Sequence, residues 1–246
     1  IYNMNKVISF ITLTSLILMN SNAIAQDDPY IWMEEVESKK SMDWVLTQNK
    51  ITSDKLTKVD GFDAMKAKYI ESYNDKDKIV YPNVVGDYMY NFWKDEDHVR
   101  GLWRRMSYED YLANKTEWET VLDLDVLSKE DGKKWVFHGT TWLAPKYEVC
   151  LLALSDGGTD EDIVREFNVV TKEFVKGGFE LPTSKGSVGW INENELIISR
   201  KFGEGSMTTS GYPRIVKRWK RGTDIKSATI VTEGPDTLMG IWASSS

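Results

Sequence analysis

The sequence contains little cysteine, little histidine and no excess of basic residues. Its single cysteine, Cys150, leaves no pair for an internal disulfide, so a hydrophobic core must hold the fold together. The 31 basic residues against 38 acidic ones give a net charge of −7. No basic patch stands out that would neutralise a phosphate backbone, which argues against nucleic acid as a partner.

The two histidines, His98 and His138, lie far apart in the sequence, and no C-x-x-C or H-x-x-x-H spacing accompanies them. Metal ligands with the usual spacing are therefore missing. The acidic run of residues 156–162 lacks the calcium-loop pattern, and we interpret it as a solvated turn. Gly203-Glu204-Gly205 lacks the third glycine of a dinucleotide-binding motif. We predict no cofactor and no metal site.

The longest apolar stretch, Val7 to Met19, is too short to span a bilayer with ease, because a spanning helix needs about 20 apolar residues. Lys6 precedes this stretch, and Ala23-Ile24-Ala25 follows it with a small-x-small cleavage pattern. We predict that residues 1–25 are a signal peptide and that the mature chain is periplasmic or secreted. It would then keep no stable membrane anchor. An uncleaved anchor is the alternative.

Residues 38–73 have a helical pattern of apolar side chains at three- and four-residue intervals. Ser38 is a suitable N-cap, and Asp60-Gly61 separates a first helix from a second. Helical pattern is nearly absent beyond Tyr73. Residues 107–115 are read either as a helix or as a strand running into a loop.

From Ile79 onward, short β-like runs alternate with turns rich in Gly, Pro, Asn and Asp. Strong runs recur at roughly the spacing of β-propeller blades, which have about 40–50 residues each. This periodicity alone leaves a β-sandwich open. The clearest predicted strands are Tyr88 to Trp93, Trp118 to Leu122, Trp135 to Phe137, Tyr147 to Leu154, Glu195 to Arg200 and Arg214 to Trp219.

The number of such units is small for a propeller. Residues 78–246 hold about three blades and the start of a fourth near residues 239–242, whereas even small propellers need about four blades to close. We therefore predict a mainly β protein in three parts. These are a signal peptide (1–25), a helical N-terminal segment (26–77) and an incomplete β-propeller (78–246).

A run directly after the predicted leader, residues 28–36, reads Asp-Pro-Tyr-Ile-Trp-Met-Glu-Glu-Val. It resembles the opening of mature chains in the prolyl oligopeptidase family of serine peptidases. Similar motifs follow in the family's order along nearly all of the mature chain. Asn168 departs from this pattern, since an Asp is expected after Arg-Glu-Phe. The matching motifs are Trp44-Val45 with Gln48-Asn49, and residues 90–95, 100–105, 118–125, 154–158, 165–167, 178–182 and 210–214.

The resemblance implies a seven-bladed-type propeller ahead of an α/β-hydrolase domain. That domain would cleave short peptides, after proline or another favoured residue, with a serine that a histidine and an aspartate activate. No serine of this chain has the G-x-S-x-G pattern of such a nucleophile. We interpret His98 as a solvated loop residue and His138 as a strand-end residue, and we assign no catalytic residue.

Two functions follow as hypotheses. In the first, the chain is the N-terminal propeller portion of an exported prolyl oligopeptidase-like serine endopeptidase and is inactive alone. Its partners would be short peptide substrates and the missing C-terminal hydrolase domain. In the second, it is a stand-alone secreted β-propeller-like binding module without catalytic activity. Downstream coding sequence with an ordered Ser, Asp and His would separate the two.

Two further features have a functional and a structural interpretation. The basic runs Arg104-Arg105 and 217–221 have side chains that suit carboxylate or peptide recognition. We interpret them instead as outward-facing strand positions paired with acids. Cys150 lies in an apolar run, and we interpret it as a small buried hydrophobic residue rather than a nucleophile.

Overall fold

The computed structural model describes residues 28–245, so the predicted leader at residues 1–25 lies outside the described residues. The chain divides into two compact units, the first ending at Ala67 and the second beginning at Lys68. The predicted domain boundary at residues 77 and 78 falls later and stays a prediction. Within residues 28–245, no helix has the length and apolar character needed to cross a bilayer.

Helices dominate the N-terminal part, as predicted. A 3₁₀ turn (Ile31–Glu34) precedes α1 (Lys39–Leu56), and α2 covers Phe62–Asn74. Helix α1 begins where it does because the Ser38 hydroxyl accepts a hydrogen bond from the backbone N–H of Ser41 at 3.2 Å. Gly61, with φ at +85°, makes the turn between the helices. The large apolar side chains of α1 are mostly exposed, among them Met42, Leu46, Ile51 and Leu56.

The second unit consists of three antiparallel sheets in which successive strands are neighbours. We call these sheets blades 1 to 3. Blade 1 carries a short helix α3 (Tyr108–Leu112) after its third strand and α4 (Leu124–Asp131) after its fourth. Its strands are β1 (Asn83–Val85), β2 (Tyr88–Trp93), β3 (Leu102–Ser107) and β4 (Glu119–Asp123).

Blades 2 and 3 repeat the same meander. In blade 2 a fifth strand, β9, also pairs with β7. Blade 2 is formed by β5 (Trp135–Trp142), β6 (Val149–Asp156), β7 (Asp162–Asn168), β8 (Glu173–Phe174) and β9 (Glu180–Ser184). Blade 3 is formed by β10 (Ser187–Asn192), β11 (Glu195–Ser199), β12 (Ile215–Lys220) and β13 (Thr229–Glu233).

Strand β6 explains how the blades hold together. Its side chains alternate between the two faces of the sheet, and both faces are buried, which accounts for its almost wholly apolar sequence. Cys150, Leu152 and Leu154 join the core shared with blade 1. Leu151 joins the core shared with blade 3. Blade 2 is therefore packed on both sides, and Cys150 is a buried strand residue, as predicted.

Helix α4 was missed by the sequence analysis, which found almost no helical pattern beyond Tyr73. Its termini are nevertheless well marked. The Asp123 carboxylate accepts hydrogen bonds from the N–H groups of Asp125 and Val126, and Gly132 ends the helix with φ at +65°. Of the two alternatives for residues 107–115, the structure shows the helix, since α3 begins directly after Ser107, the last residue of β3.

The segment predicted to begin a fourth blade, residues 239–242, forms no strand. Its backbone bonds to the connection between β11 and β12 instead, since the N–H of Ile241 donates to the carbonyl of Pro213 at 2.7 Å. Farther on, Ala243 N–H and the Ser187 hydroxyl lie 3.2 Å apart. The segment thus returns from β13 to the first strand of blade 3. That a fourth blade begins here stays a prediction.

Candidate functional site at the seams between blades

Strand β7 carries two carboxylates that face blade 3. Asp162 and Glu166 are four residues apart and therefore point to the same side of the strand. Each binds an arginine of blade 3. We call the two boundaries between neighbouring blades the 1–2 seam and the 2–3 seam.

At one end of the 2–3 seam, Arg200 bridges two strands of blade 2. Its Nη1 lies 2.8 Å from Asp162 Oδ1, and its Nη2 donates to the carbonyl oxygens of Asp162 and Pro182. The Arg200 side chain is only 3% exposed. A buried cation is tolerated when it is paired in this way. Arg200 therefore fixes β11 against β7 and β9.

At the other end of the 2–3 seam, Arg221 binds the Glu166 carboxylate with its two terminal nitrogens, Nη1 and Nη2. The Nη1–Oε2 and Nη2–Oε1 distances are 2.8 and 3.0 Å. The same guanidinium donates to the backbone carbonyl of Glu193 and lies over the ring of Phe179. Glu166 Oε2 also accepts from the N–H of Phe179 at 2.7 Å. This bidentate geometry is the most specific form of an arginine–carboxylate pair.

His138 lies in the 2–3 seam and not at a strand end, so that prediction was wrong. It sits within β5 at an irregularity of the β5–β6 pairing between Phe137 and Gly139. Its Nδ1 lies 3.3 Å from Asp162 Oδ2. The extra residue of a bulge redirects a side chain, which the sequence pattern around Trp135-Val136-Phe137 does not reveal.

The 1–2 seam has a charged cluster of its own. Arg105 Nε lies 2.7 Å from Glu119 Oε2, and Lys172 of blade 2 reaches the other oxygen of Glu119 at 2.9 Å. Burial lowers the pKa of Arg105, but its hydrogen bonds to Glu119 and to the Tyr90 hydroxyl outweigh this and leave the pKa raised. The bond from Arg105 is the main cause of the lowered pKa of Glu119.

The interpretation of the basic runs Arg104-Arg105 and 217–221 as outward-facing residues paired with acids is only partly correct. Arg105, Arg218 and Arg221 do pair with acids. Arg105, however, is buried in the blade and does not face outward. Arg104 has no carboxylate partner among residues 28–245. Its guanidinium stacks on Trp93 and Trp118 instead, and burial lowers its pKa to about 10.

His98 binds a neighbouring acid in the turn after β2. Its Nδ1 lies 2.9 Å from Asp95 Oδ1, and Trp93 Nε1 donates to Asp95 Oδ2 at 2.7 Å. Burial raises the pKa of Asp95, but the hydrogen bonds from Trp93 and His98 outweigh it and hold the pKa well below its ordinary value. His98 is thus a loop residue, as predicted, but one third exposed and held by Asp95.

These contacts define what the described residues can do chemically. Both histidines of the chain bind aspartates, and neither contacts a serine hydroxyl among residues 28–245. Serine attack needs such a base within hydrogen-bond reach. Cys150 is fully buried, and burial raises the pKa of its thiol. No group of three or more potential metal ligands occurs in the described part of the chain. The seams hold the blades together, and within residues 28–245 neither histidine is paired with a serine nucleophile.

Three successive antiparallel meanders, packed face to face across buried seams, define the second unit as part of a β-propeller. The sequence model of the family "prolyl oligopeptidase, N-terminal β-propeller domain" matches residues 19–246. The chain belongs to the prolyl oligopeptidase family.

Relatives of known sequence agree. An uncharacterized peptidase of Sinorhizobium fredii is 41% identical over 226 residues, which are 91% of this chain and 31% of the relative. An uncharacterized peptidase of Rickettsia prowazekii is 30% identical over 98% of this chain and 35% of its own length. The chain therefore spans about a third of the length of these curated relatives.

Among solved structures, a post-proline cleaving enzyme from Rickettsia typhi is similar with a TM-score of 0.79 and 31% identity. The likeness covers 87% of this chain and 32% of that enzyme. Oligopeptidase B from Leishmania major, at 14% identity and a TM-score of 0.64, shares the fold over 85% of this chain and 28% of its own.

Proposed function

We propose that this chain is the propeller portion of an exported serine endopeptidase that hydrolyses short peptides, with a preference for cleavage after proline. The observation that carries the proposal is the likeness to the post-proline cleaving enzyme of R. typhi over 87% of the chain. The serine, histidine and aspartate would lie in a C-terminal α/β-hydrolase domain outside this chain.

The seams support a gating role for the propeller. A blade stack held by buried ion pairs at both ends of β7 resists separation of blades 2 and 3. A rigid ring in front of a catalytic domain would admit short peptides and exclude folded proteins. The exposed apolar face of α1, with Leu46 60% exposed, would pack against that domain.

The location is part of the same proposal. Lys6, the apolar stretch after it and Ala23-Ile24-Ala25 support export with cleavage, which would place the protein in the periplasm or outside the cell. Short peptides are the substrates we infer, and nucleic acid and a lasting membrane anchor have no part in the proposal.

The test compares the longer protein, purified from its source, with this chain alone. We expect the longer protein to release nitroaniline from a blocked Gly-Pro-nitroanilide faster than from its Gly-Ala counterpart. A serine-directed fluorophosphonate should label the longer protein and abolish this activity, and it should leave the isolated chain unlabelled. Equal rates on both substrates would remove the proline preference. A longer protein that neither reacts with the fluorophosphonate nor cleaves either substrate would refute the peptidase proposal and favour a binding module.

A further inference from the structure

An aromatic pocket lies between blades 1 and 2, beside their first strands β1 and β5. Tyr90 and Trp142 pair across the seam with ring centroids 4.9 Å apart, and Phe92 and Phe137 stack at 4.8 Å. Trp103 contacts both pairs, at 5.4 Å from Tyr90 and 5.7 Å from Phe137. The pairs therefore form two walls and Trp103 joins them.

One of the residues that line the pocket, Gly139 on β5, has no side chain. Gly139 follows the irregular position of His138 and has φ at +122°. No atom lies within 4 Å of the place where its Cβ would be. The cavity has a volume of about 330 Å³, at the small end of the range for ligand pockets. One or two residues of a peptide would fit, and a large ligand would not.

Two indole N–H groups of the pocket residues have no hydrogen-bond partner among residues 28–245. Five other indole N–H groups donate to protein oxygens, those of Trp32, Trp93, Trp135, Trp190 and Trp219. Among residues 28–245, the indoles of Trp103 and Trp142 donate to none. Among the described side chains, only Arg200 Nε and Arg214 Nη1 are fully buried without a partner, so neither indole nitrogen is fully buried, although Trp103 as a whole is only 3% exposed. They offer donors to a carbonyl oxygen.

The charges around the pocket decide between a cation and a neutral group. Aromatic walls attract both, since quaternary ammonium groups also bind aromatic cages. No carboxylate lines this pocket, however, and the Arg105 guanidinium lies 3.3 Å from the Tyr90 hydroxyl. The charge of Arg105 is balanced by its pair with Glu119, and a cation in the pocket would meet no carboxylate among the lining residues. The walls therefore suit a neutral apolar ring with a carbonyl beside it.

We propose that this pocket binds a proline residue of a short peptide. The pyrrolidine ring stacks against the aromatic walls, as in other proline-recognising grooves, and a peptide carbonyl accepts from an indole N–H. Proline brings no backbone N–H that would need an acceptor inside the pocket. The proposal does not depend on whether the longer protein cleaves peptides.

The test follows the indole resonances of ¹⁵N-labelled chain, at a concentration at which light scattering shows no self-association, during titration with acetyl-Gly-Pro-Gly-amide. We expect the signals of Trp103 and Trp142 to shift with saturation, and those of Trp118 and Trp242, outside the pocket, to stay unchanged. Acetyl-Gly-Ala-Gly-amide should give at most a tenth of the affinity. Equal binding of the alanine peptide, displacement by choline, or no shift of the Trp103 and Trp142 signals would overturn the proposal. This comparison needs no variant.

A variant tests the hydrogen bond separately. Trp142→Phe keeps a ring in the wall and removes its N–H, so binding of the proline peptide should weaken roughly two- to tenfold. Trp118→Phe is the matched control and should bind with unchanged affinity. The remaining indole signals report whether each variant is folded. Unchanged affinity in folded Trp142→Phe together with loss in Trp118→Phe would place the peptide elsewhere and contradict the proposal.

Discussion

The guanidinium of Arg221 in blade 3 donates two parallel hydrogen bonds of 2.8 and 3.0 Å to the carboxylate of Glu166 in blade 2. Glu166 is 5% exposed, so this carboxylate depends on Arg221 and on the N–H of Phe179 for its stabilisation. The two residues lie 55 positions apart in the sequence. The pair is therefore a long-range clamp on the 2–3 seam.

Replacing Glu166 should loosen this clamp. In Glu166→Gln the charge is lost while the shape is kept, and Arg221 faces a neutral amide. We expect the free energy of unfolding to fall by about 2 kcal/mol, because a charged partner of a mostly buried pair has been removed. Urea unfolding followed by tryptophan fluorescence measures this.

Lys133→Ala is the matched control. It removes the Lys133–Asp156 pair, in which both side chains are about half exposed, and should cost less than about 1 kcal/mol. A loss for Glu166→Gln no larger than that of the control would mean that the clamp contributes little to stability.

Cys150 should be chemically silent in the folded chain. Its side chain is fully buried, so a reagent cannot reach the sulfur. Burial also raises the pKa of the thiol, so little of the reactive thiolate forms. An aromatic disulfide reagent at pH 8 should react with less than a tenth of the thiol in native protein and with all of it in denaturant. Rapid modification of native protein would show that the core around β6 opens readily.

Asp95 should make stability depend on pH on the acid side. Its folded pKa is lowered, whereas the unfolded chain titrates near its ordinary value of 3.8. Its contribution is therefore complete above that value and is lost as the pH falls toward the folded pKa. Asp95→Asn should lower stability at pH 7 and flatten the decline below pH 4.

The urea midpoint at pH 7 and pH 3 measures this effect. Asp97→Asn removes a charge from the exposed side of the same turn and serves as the control, with the pH dependence of the wild type retained. A steep acid decline that persists in Asp95→Asn would assign the effect to other carboxylates.

The exposed apolar residues of α1 should make the isolated chain self-associate. Leu46 and Leu56 are 60% and 55% exposed. An exposed apolar helix face favours association between copies of the chain in water. Light scattering should show concentration-dependent assembly of recombinant 26–246, and the Leu46→Glu, Leu56→Glu double variant should reduce it. A monodisperse, cooperatively melting wild type would argue that this face needs no partner.

Local signals in the sequence predicted much of the fold. The Ser38 cap, the break at Asp60-Gly61 and the strand from Tyr88 to Trp93 are confirmed, because each is fixed by neighbouring residues. Strand β13 was not predicted. All five of its residues are exposed, so its sequence lacks the alternation that identifies a half-buried strand.

The ion pairs at the seams could not be predicted from the sequence for a different reason. The partners of Arg200 and Arg221 lie 38 and 55 positions away, and nothing local distinguishes these arginines from solvated ones. The aromatic pocket was hidden for the same reason, since its walls come from β2, β3 and β5. The motif residues 90–95 and 100–105 pointed to the family but not to a pocket.

We propose that this chain supplies the propeller of a peptidase whose catalytic residues lie elsewhere in the same protein. Sequencing the gene beyond the codon for Ser246 tests it most directly. We expect an open frame of several hundred codons that encodes further blades, then a G-x-S-x-G elbow, an Asp and a His in that order. A stop codon directly after Ser246 would contradict it and leave a propeller-like binding module.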